Sequence, residues 1–394
     1  LKKHVANKTD LIIDVNPLDS FLHAKLNEHF DRGLNRKLTT QSGKIDFTSN
    51  DYLGLARSLP LFDLIHERVR ETGPSNGSTG SRLLSGNTSY AEKVESKLAE
   101  IFECENTLLF NSGYAANLAV LSSLPQKDDT IIYDELAHAC IKDGARLSLA
   151  KRFSFRHNNI DDLMAKLRHA TGRIYVVVES IYSMDGDECP LEELVKLKSQ
   201  NPKIILVVDE AHSTGILGSR GSGFVASKGY VNDVDIRVHT FGKAMGAHGA
   251  CVAGSKALRD YLINFARPFI YTTAPPIHSV AAIDCGFEFL SMNIDLQNQL
   301  QNLIAAYSEQ TKAIESKTYS RSAIQTIIIP GSEKARAAAA SLQATGFDVR
   351  PILSPTVPKG MERLRICLHT YNTIEEISGL STHLKKILAE NNLQ

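Results

Sequence analysis

The run Ile204-Ile205-Leu206-Val207-Val208-Asp209-Glu210-Ala211-His212 sets the fold class. Five apolar residues in succession leave no polar face, so the segment reads as a strand buried on both sides. It stops on a carboxylate, and the carboxyl ends of parallel strands are where open α/β sheets bind ligands. Comparable short apolar runs lie at 107–110, 130–133, 174–178 and 236–240, with helical patterns between them at 91–102, 137–147 and 191–200. This alternation predicts an α/β protein with a mostly parallel sheet flanked by helices. Residues 250–254 add a strand, 256–266 a helix, and a long helical pattern runs from about 276 to 317. The tail reads strand (325–329), helix (333–345), strand (348–352), strand (364–369), helix (374–390), a small α+β unit. Before the sheet, Leu18, Leu22, Leu26 and Phe30 recur at helical spacing. The expected organisation is an N-terminal helical segment over 1–45, a large domain over 46–275, and a linking helix with a small C-terminal domain over 276–394. No repeat or low-complexity linker interrupts it, so the small unit is expected to pack tightly on the large one.

Bulk properties narrow the function. Forty-four basic residues balance forty-four acidic ones, which gives no electrostatic case for nucleic acid or an anionic membrane. No apolar run is long enough to span a bilayer. No apolar signal segment follows Leu1-Lys2-Lys3-His4, and the six cysteines are scattered without a C-x-x-C pair. The expectation is a cytoplasmic protein with reduced, buried thiols. Neither H-E-x-x-H nor a Cys/His array with ligand spacing is present, so no metal is expected.

The chemistry concentrates about thirty residues beyond Asp209, at Thr240-Phe241-Gly242-Lys243-Ala244-Met245-Gly246. Small neighbours leave room beside Lys243 for a planar group, and a desolvated lysine amine is nucleophilic toward an aldehyde. Asp209, buried at a strand end, needs a positive partner, and a protonated pyridine nitrogen supplies one. Lysine and aspartate together are the two groups a pyridoxal 5'-phosphate (PLP) enzyme requires. His212 reads either as a contact to the ring oxygen or as a hydrogen-bonded loop histidine. Ser112, Gly113 and Tyr114 stand where a strand gives way to a helix, and helix-start N–H groups attract phosphate. Thr240 adds a hydroxyl on the same side. His138 reads equally as a ring stacked on the cofactor and as a helix-start histidine.

Five ordered motifs carry a resemblance: Ser49-Asn50-Asp51-Tyr52-Leu53-Gly54-Leu55, Gly77-Ser78-Thr79-Gly80-Ser81-Arg82, Ser183-Met184-Asp185-Gly186-Asp187, Asp209-Glu210-Ala211-His212 and Thr240-Phe241-Gly242-Lys243. Over about residues 20–390 the chain resembles the α-oxoamine synthases. These are fold-type I PLP enzymes that join an amino acid to an acyl thioester with loss of carbon dioxide. Phe265-Ala266-Arg267-Pro268-Phe269-Ile270-Tyr271-Thr272-Thr273 and Pro355-Thr356-Val357-Pro358-Lys359-Gly360 resemble the biotin-pathway branch. That branch implies L-alanine and a pimeloyl group on CoA or a carrier protein. The sister branches take glycine with acetyl-CoA, or serine with a long acyl chain. The resemblance implies that Lys243 holds PLP and moves the α-proton, with Asp209 on the pyridine nitrogen. It places His212 on the ring oxygen, His138 on the ring face, and Ser183 near the ring with Glu179 supporting it. Asn50 and Arg365 then take the amino-acid carboxylate. A homodimer is implied, with Thr272 and Thr273 reaching the phosphate of the neighbouring subunit. The chain departs from the branch at Leu353-Ser354, where an Arg-Pro pair is usual, leaving Arg36 or Arg32 to meet a distal carboxylate. A non-catalytic partner subunit would lack Lys243, Asp209 and His212. An aminotransferase would lack the Ser49–Leu55 motif.

Overall fold

In a computed structural model, residues 16–40 and 43–390 are described. Helix α1 (Pro17–Asp31) belongs to an N-terminal unit that ends at Gly43. Asn16 caps it, accepting the Leu18 N–H at 3.0 Å. Its apolar residues Leu18, Phe21, Leu22, Leu26 and Phe30 are all exposed. Residues 1–15 of the expected N-terminal segment lie outside the described residues.

The second unit starts at Lys44. Strand β1 (Ile45–Asp46) is followed by α2 (Leu59–Glu71) and α3 (Ser89–Ile101). Then strands and helices alternate: β2 (Asn106–Phe110), α4 (Gly113–Ser123), β3 (Thr130–Asp134), α5 (Ala139–Leu147), β4 (Lys151–Phe155) and α6 (Ile160–Leu167). The alternation continues through β5 (Ile174–Glu179), α7 (Leu191–Gln200), β6 (Ile204–Asp209), the short α8 (Phe224–Ser227), β7 (Ile236–Thr240) and β8 (Ala250–Gly254). These strands form one seven-stranded sheet in the order β2-β8-β7-β6-β5-β3-β4. Only β8 runs against its neighbours, β2 and β7. The other four pairings are parallel, so the ends of β2, β3, β5, β6 and β7 lie along one edge, and β5 is buried at every position. Register sets Glu179 beside Asp209, and Asp209 beside Val238.

Helices α9 (Lys256–Phe265), α10 (Arg267–Ile270), α11 (Ile277–Met292) and α12 (Asp295–Gln310) lead to a second, three-stranded sheet. The single helix expected over 276–317 is broken after Met292, where Asn293 leaves helical geometry at φ −121°, ψ 55° and its side-chain amide caps Phe289 O. The small sheet contains β9 (Ile324–Ile328), then after α13 (Ser332–Ala344) and β10 (Phe347–Asp348) come β11 (Arg350–Ile352), β12 (Arg363–Cys367) and α14 (Ile374–Glu390). Its order β11-β12-β9 is antiparallel throughout. The strand expected over 348–352 is divided at Val349, because β10 pairs with β1 while β11 pairs with β12.

One apolar core joins the two sheets: Leu109, Phe241 and Cys251 of the large sheet share a cluster with Ile327, Ile366, Leu380 and Leu384. A loop ties them as well. The Asp187 carboxylate is held by His157 Nε2 at 2.8 Å and Asn158 Nδ2 at 2.7 Å on the large-sheet side. On the small-sheet side Ser320 and Ser322 donate to Gly186 O at 2.8 and 2.9 Å, and Arg363 pairs with Asp185. All six cysteines are free, five of them buried. Among the described residues no helix is long and apolar enough to cross a membrane, and no cluster of three metal-ligating side chains occurs.

Candidate active site

The sheet edge where five strands end encloses a cavity of about 180 Å³ lined by Gly113, Asn117, His138, Glu179, Asp209, His212, Thr240 and Lys243, with Tyr114, Cys140 and Ala211. Four loops deliver these groups. After β2, Ser112 caps α4 in extended geometry, its hydroxyl accepting the Ala115 N–H at 3.2 Å. The helix start therefore points free N–H groups at the cavity. After β7, Thr240 stands against Gly113, so closely that a Cβ on Gly113 would lie 2.2 Å from Thr240 Oγ1. Only glycine leaves this cradle open.

Asp209 ends β6 with both oxygens engaged. Oδ1 accepts the Ala211 N–H at 2.8 Å, and Oδ2 accepts Asn117 Nδ2 at 2.6 Å. Asn117, four residues beyond Gly113, faces the same side of α4, and its Oδ1 has no partner. Glu179 accepts the His138 N–H at 2.5 Å. Burial pushes the Glu179 carboxyl up, the charge of Asp209 adds to this, and Lys243 opposes it. For Lys243, burial pulls the amine down while Asp209 and Glu179 resist. Among the described residues the amine has no hydrogen-bond or ion-pair partner. A buried amine held back from protonation is a nucleophile in waiting.

His212 has its Nδ1 2.8 Å from the Tyr52 hydroxyl, and burial holds it well below the ordinary histidine range. Tyr52 donates to Asn50 Oδ1 at 3.0 Å, and Arg365 Nη2 donates to the same oxygen at 3.0 Å. Arg365 Nε donates to Ser183 O at 2.6 Å. Asn50, Arg365 and Ser183 thus form an outer layer behind the cavity wall, linked to it through Tyr52 and His212. Tyr114 stands at the rim, exposed, with its hydroxyl on Asp143. Thr272 and Thr273 lie beside the end of β2 in the same chain, where Asn111 Nδ2 donates to Thr272 Oγ1 at 3.2 Å and Thr273 O at 2.9 Å. Arg36 is in the N-terminal unit. Leu353 packs, half-buried, against the core shared by the sheets.

Sequence reasoning passed over Tyr52, Asn117 and Cys140. The i+4 offset of Asn117 from Gly113 on an apolar helix was the available signal. For Cys140 it was the His-x-Cys spacing at a helix start. Tyr52 had no local signal, since its partner is 160 residues away.

The residue set fits PLP. An open cradle at a helix start suits phosphate, a buried carboxylate suits a pyridinium, and an unpaired lysine amine suits the aldehyde. Comparisons agree. The model of the aminotransferase class I and II family matches residues 42–379. An 8-amino-7-oxononanoate synthase of Emericella nidulans is 41% identical over 383 residues, covering 91% of this chain and 93% of that one. One from Haemophilus ducreyi is 37% identical over 385 residues, covering 92% and 99%. Among solved structures, an 8-amino-7-oxononanoate synthase of Francisella tularensis superposes with TM-score 0.77 at 30% identity, covering 89% of this chain and all of that one. A serine palmitoyltransferase of S. paucimobilis with bound PLP–myriocin aldimine gives TM-score 0.85 at 26% identity, covering 96% and 100%. The chain belongs to the class I and II aminotransferase family and, within it, is a PLP-dependent α-oxoamine synthase, an acyltransferase.

Proposed function

We propose that this enzyme condenses L-alanine with a pimeloyl thioester, on CoA or a carrier protein, to give 8-amino-7-oxononanoate. The observation that carries this reading is the identity of 37–41% over nearly the whole chain with synthases of that name. Thr272 and Thr273 are assigned to the phosphate of a neighbouring subunit in a homodimer.

PLP, when bound, supplies an aldehyde for the amino group and a ring that takes up electrons from the α-carbon. The protein does the rest. Lys243, its amine pulled down by desolvation, would take the α-proton and return it at Nζ. Asp209, pinned by Asn117 and the Ala211 N–H, keeps the ring nitrogen protonated. Ser112, Gly113 and Thr240 hold phosphate, with Tyr114 at the rim. His212, fixed by Tyr52, would meet the ring oxygen, and His138, its backbone N–H held by Glu179, would stack on the ring. The Arg365 guanidinium, oriented by Asn50 and Ser183 O, receives the amino-acid carboxylate.

The test is product mass after mixing PLP-loaded enzyme with alanine and pimeloyl-CoA. The mass of 8-amino-7-oxononanoate supports the assignment. The superposition on serine palmitoyltransferase favours a second reading, serine with a long acyl-CoA. Turnover with that pair, or with glycine and acetyl-CoA, and none with alanine would overturn the first.

A further inference from the structure

His138 is the residue on which α5 starts, and its Nδ1 meets two groups of Cys140. The Cys140 peptide N–H donates to it at 3.3 Å, and Cys140 Sγ lies 3.0 Å away. A peptide N–H can only donate, so Nδ1 carries a lone pair and the ring proton resides on Nε2. A thiol sulfur that close to a lone pair must place its hydrogen between them, so Cys140 is a neutral S–H donor. Among the described residues the Nε2–H has no hydrogen-bond partner, and His138 and Cys140 both line the cavity that holds Lys243 and Asp209. We propose that Cys140 is a positioning residue that locks His138 as the neutral Nε2–H tautomer and aims this N–H at the reacting amino acid.

The opposite arrangement, a thiolate beside an imidazolium, is what a Cys–His pair adopts when it serves as a nucleophile. The surroundings work against it. Burial pulls His138 below its ordinary range and pushes the Cys140 thiol up. The Asp209 charge raises the thiol further, and the Lys142 charge works against a proton on the imidazole, opposed by Asp209 and Asp143. A fixed tautomer matters because a ring free to exchange its proton would offer a lone pair to the substrate for part of the time, and a lone pair repels a carboxylate. The Glu179 carboxylate, accepting the His138 backbone N–H, fixes the other end of the residue. The inference rests on the proposed place of His138 over the cofactor ring.

The experiment uses full-length PLP-loaded enzyme with 15N-histidine, the His138 signals being identified by their loss in His138→Asn. Long-range proton–nitrogen spectra from pH 6 to 9 should show Nε2 protonated and Nδ1 bare throughout. Alkylation of Cys140 by iodoacetamide, followed by peptide mass, should be slow below pH 9. Cys140→Ala leaves the longer peptide N–H contact at 3.3 Å but removes the thiol contact at 3.0 Å, so the second tautomer should become detectable and kcat fall about three- to tenfold, the worth of one hydrogen bond, with KM for the amino acid and PLP absorbance unchanged. Cys140→Ser, which keeps a donor in place, should restore both tautomer and kcat. A protonated Nδ1, rapid alkylation at pH 6–7, or wild-type tautomer and kcat in Cys140→Ala would each overturn the proposal. Failure of wild-type enzyme to turn over any amino acid with any thioester, with the tautomer as expected, would instead fault the proposed reaction.

Discussion

Replacing Gly113 by alanine tests the proposed phosphate cradle at its tightest point. The added Cβ would lie 2.2 Å from Thr240 Oγ1 and 3.4 Å from Thr240 Cβ and Cγ2. Either the helix start retreats or Thr240 swings its hydroxyl away. Forcing one carbon into a filled site costs about 1–3 kcal/mol. The PLP-free protein should lose at most about 2 kcal/mol of stability, since alanine in a helix is favoured over glycine by about 0.5–1 kcal/mol, which offsets part of the clash. Cofactor affinity has no such offset. The cradle is lost to the phosphate, and 1–3 kcal/mol corresponds to a dissociation constant raised about 5- to 150-fold. The assay is a spectrophotometric titration of stripped enzyme with PLP, paired with thermal melts without it. On a Thr240→Ala background the same substitution should cost less, because the opposing oxygen is gone. An unchanged dissociation constant, or an equal cost in both backgrounds, refutes the reasoning.

Lys243→Ala should keep PLP bound non-covalently and lower kcat on the order of a hundred- to ten-thousandfold, and full activity would remove lysine from the chemistry. Arg365→Lys, which exchanges a fork for a point charge, should raise KM for the amino acid about tenfold or more while leaving PLP titration as in wild type; an unchanged KM places the carboxylate elsewhere. His157 gives a pH signature. Burial pulls it down, but its hydrogen bonds to Asp134 and Asp187 outweigh this and lift it from an ordinary 6.5 to about 10. Because the folded value is raised, its stabilisation is complete below pH 6.5 and is lost as pH rises toward 10. The melting-temperature gap between wild type and His157→Asn should therefore be widest near pH 6 and close by pH 10, as melts in a buffer series will show; a gap that widens with pH contradicts the ion-pair description.

Much of the sheet was legible because β5 and β6 are buried on both faces and carry no competing pattern. Edge strand β4, Lys-Arg-Phe-Ser-Phe, was not, since four of its five side chains escape burial. The expected helix from residue 137 begins at Ala139, because His138 keeps extended geometry as its cap. The division at Val349 is set by strand partners distant in sequence, and the break at Asn293 by an amide turned back on Phe289 O, neither of which periodicity reports. At the site, Lys243, Asp209 and the Ser112–Gly113 turn were readable because each follows a strand. Asn50 and Arg365 were readable only by resemblance, since they lie more than three hundred positions apart, and Tyr52, which links them to His212, was not read at all. Asn117 escaped notice because an asparagine in an apolar helix has no sign of its own to mark a carboxylate opposite.

The loop from Ser183 to Asp187, gripped on both sides, has a consequence for how the molecule comes apart. Arg363 and the serines at 320 and 322 hold one flank, His157 and Asn158 the other, and a single apolar cluster runs beneath. Neither sheet has a boundary along which it can detach. Heating should give one calorimetric transition for the chain from Lys44 onward, and a fragment cut before α11 should not fold, so the smaller sheet is half of a building block rather than a module.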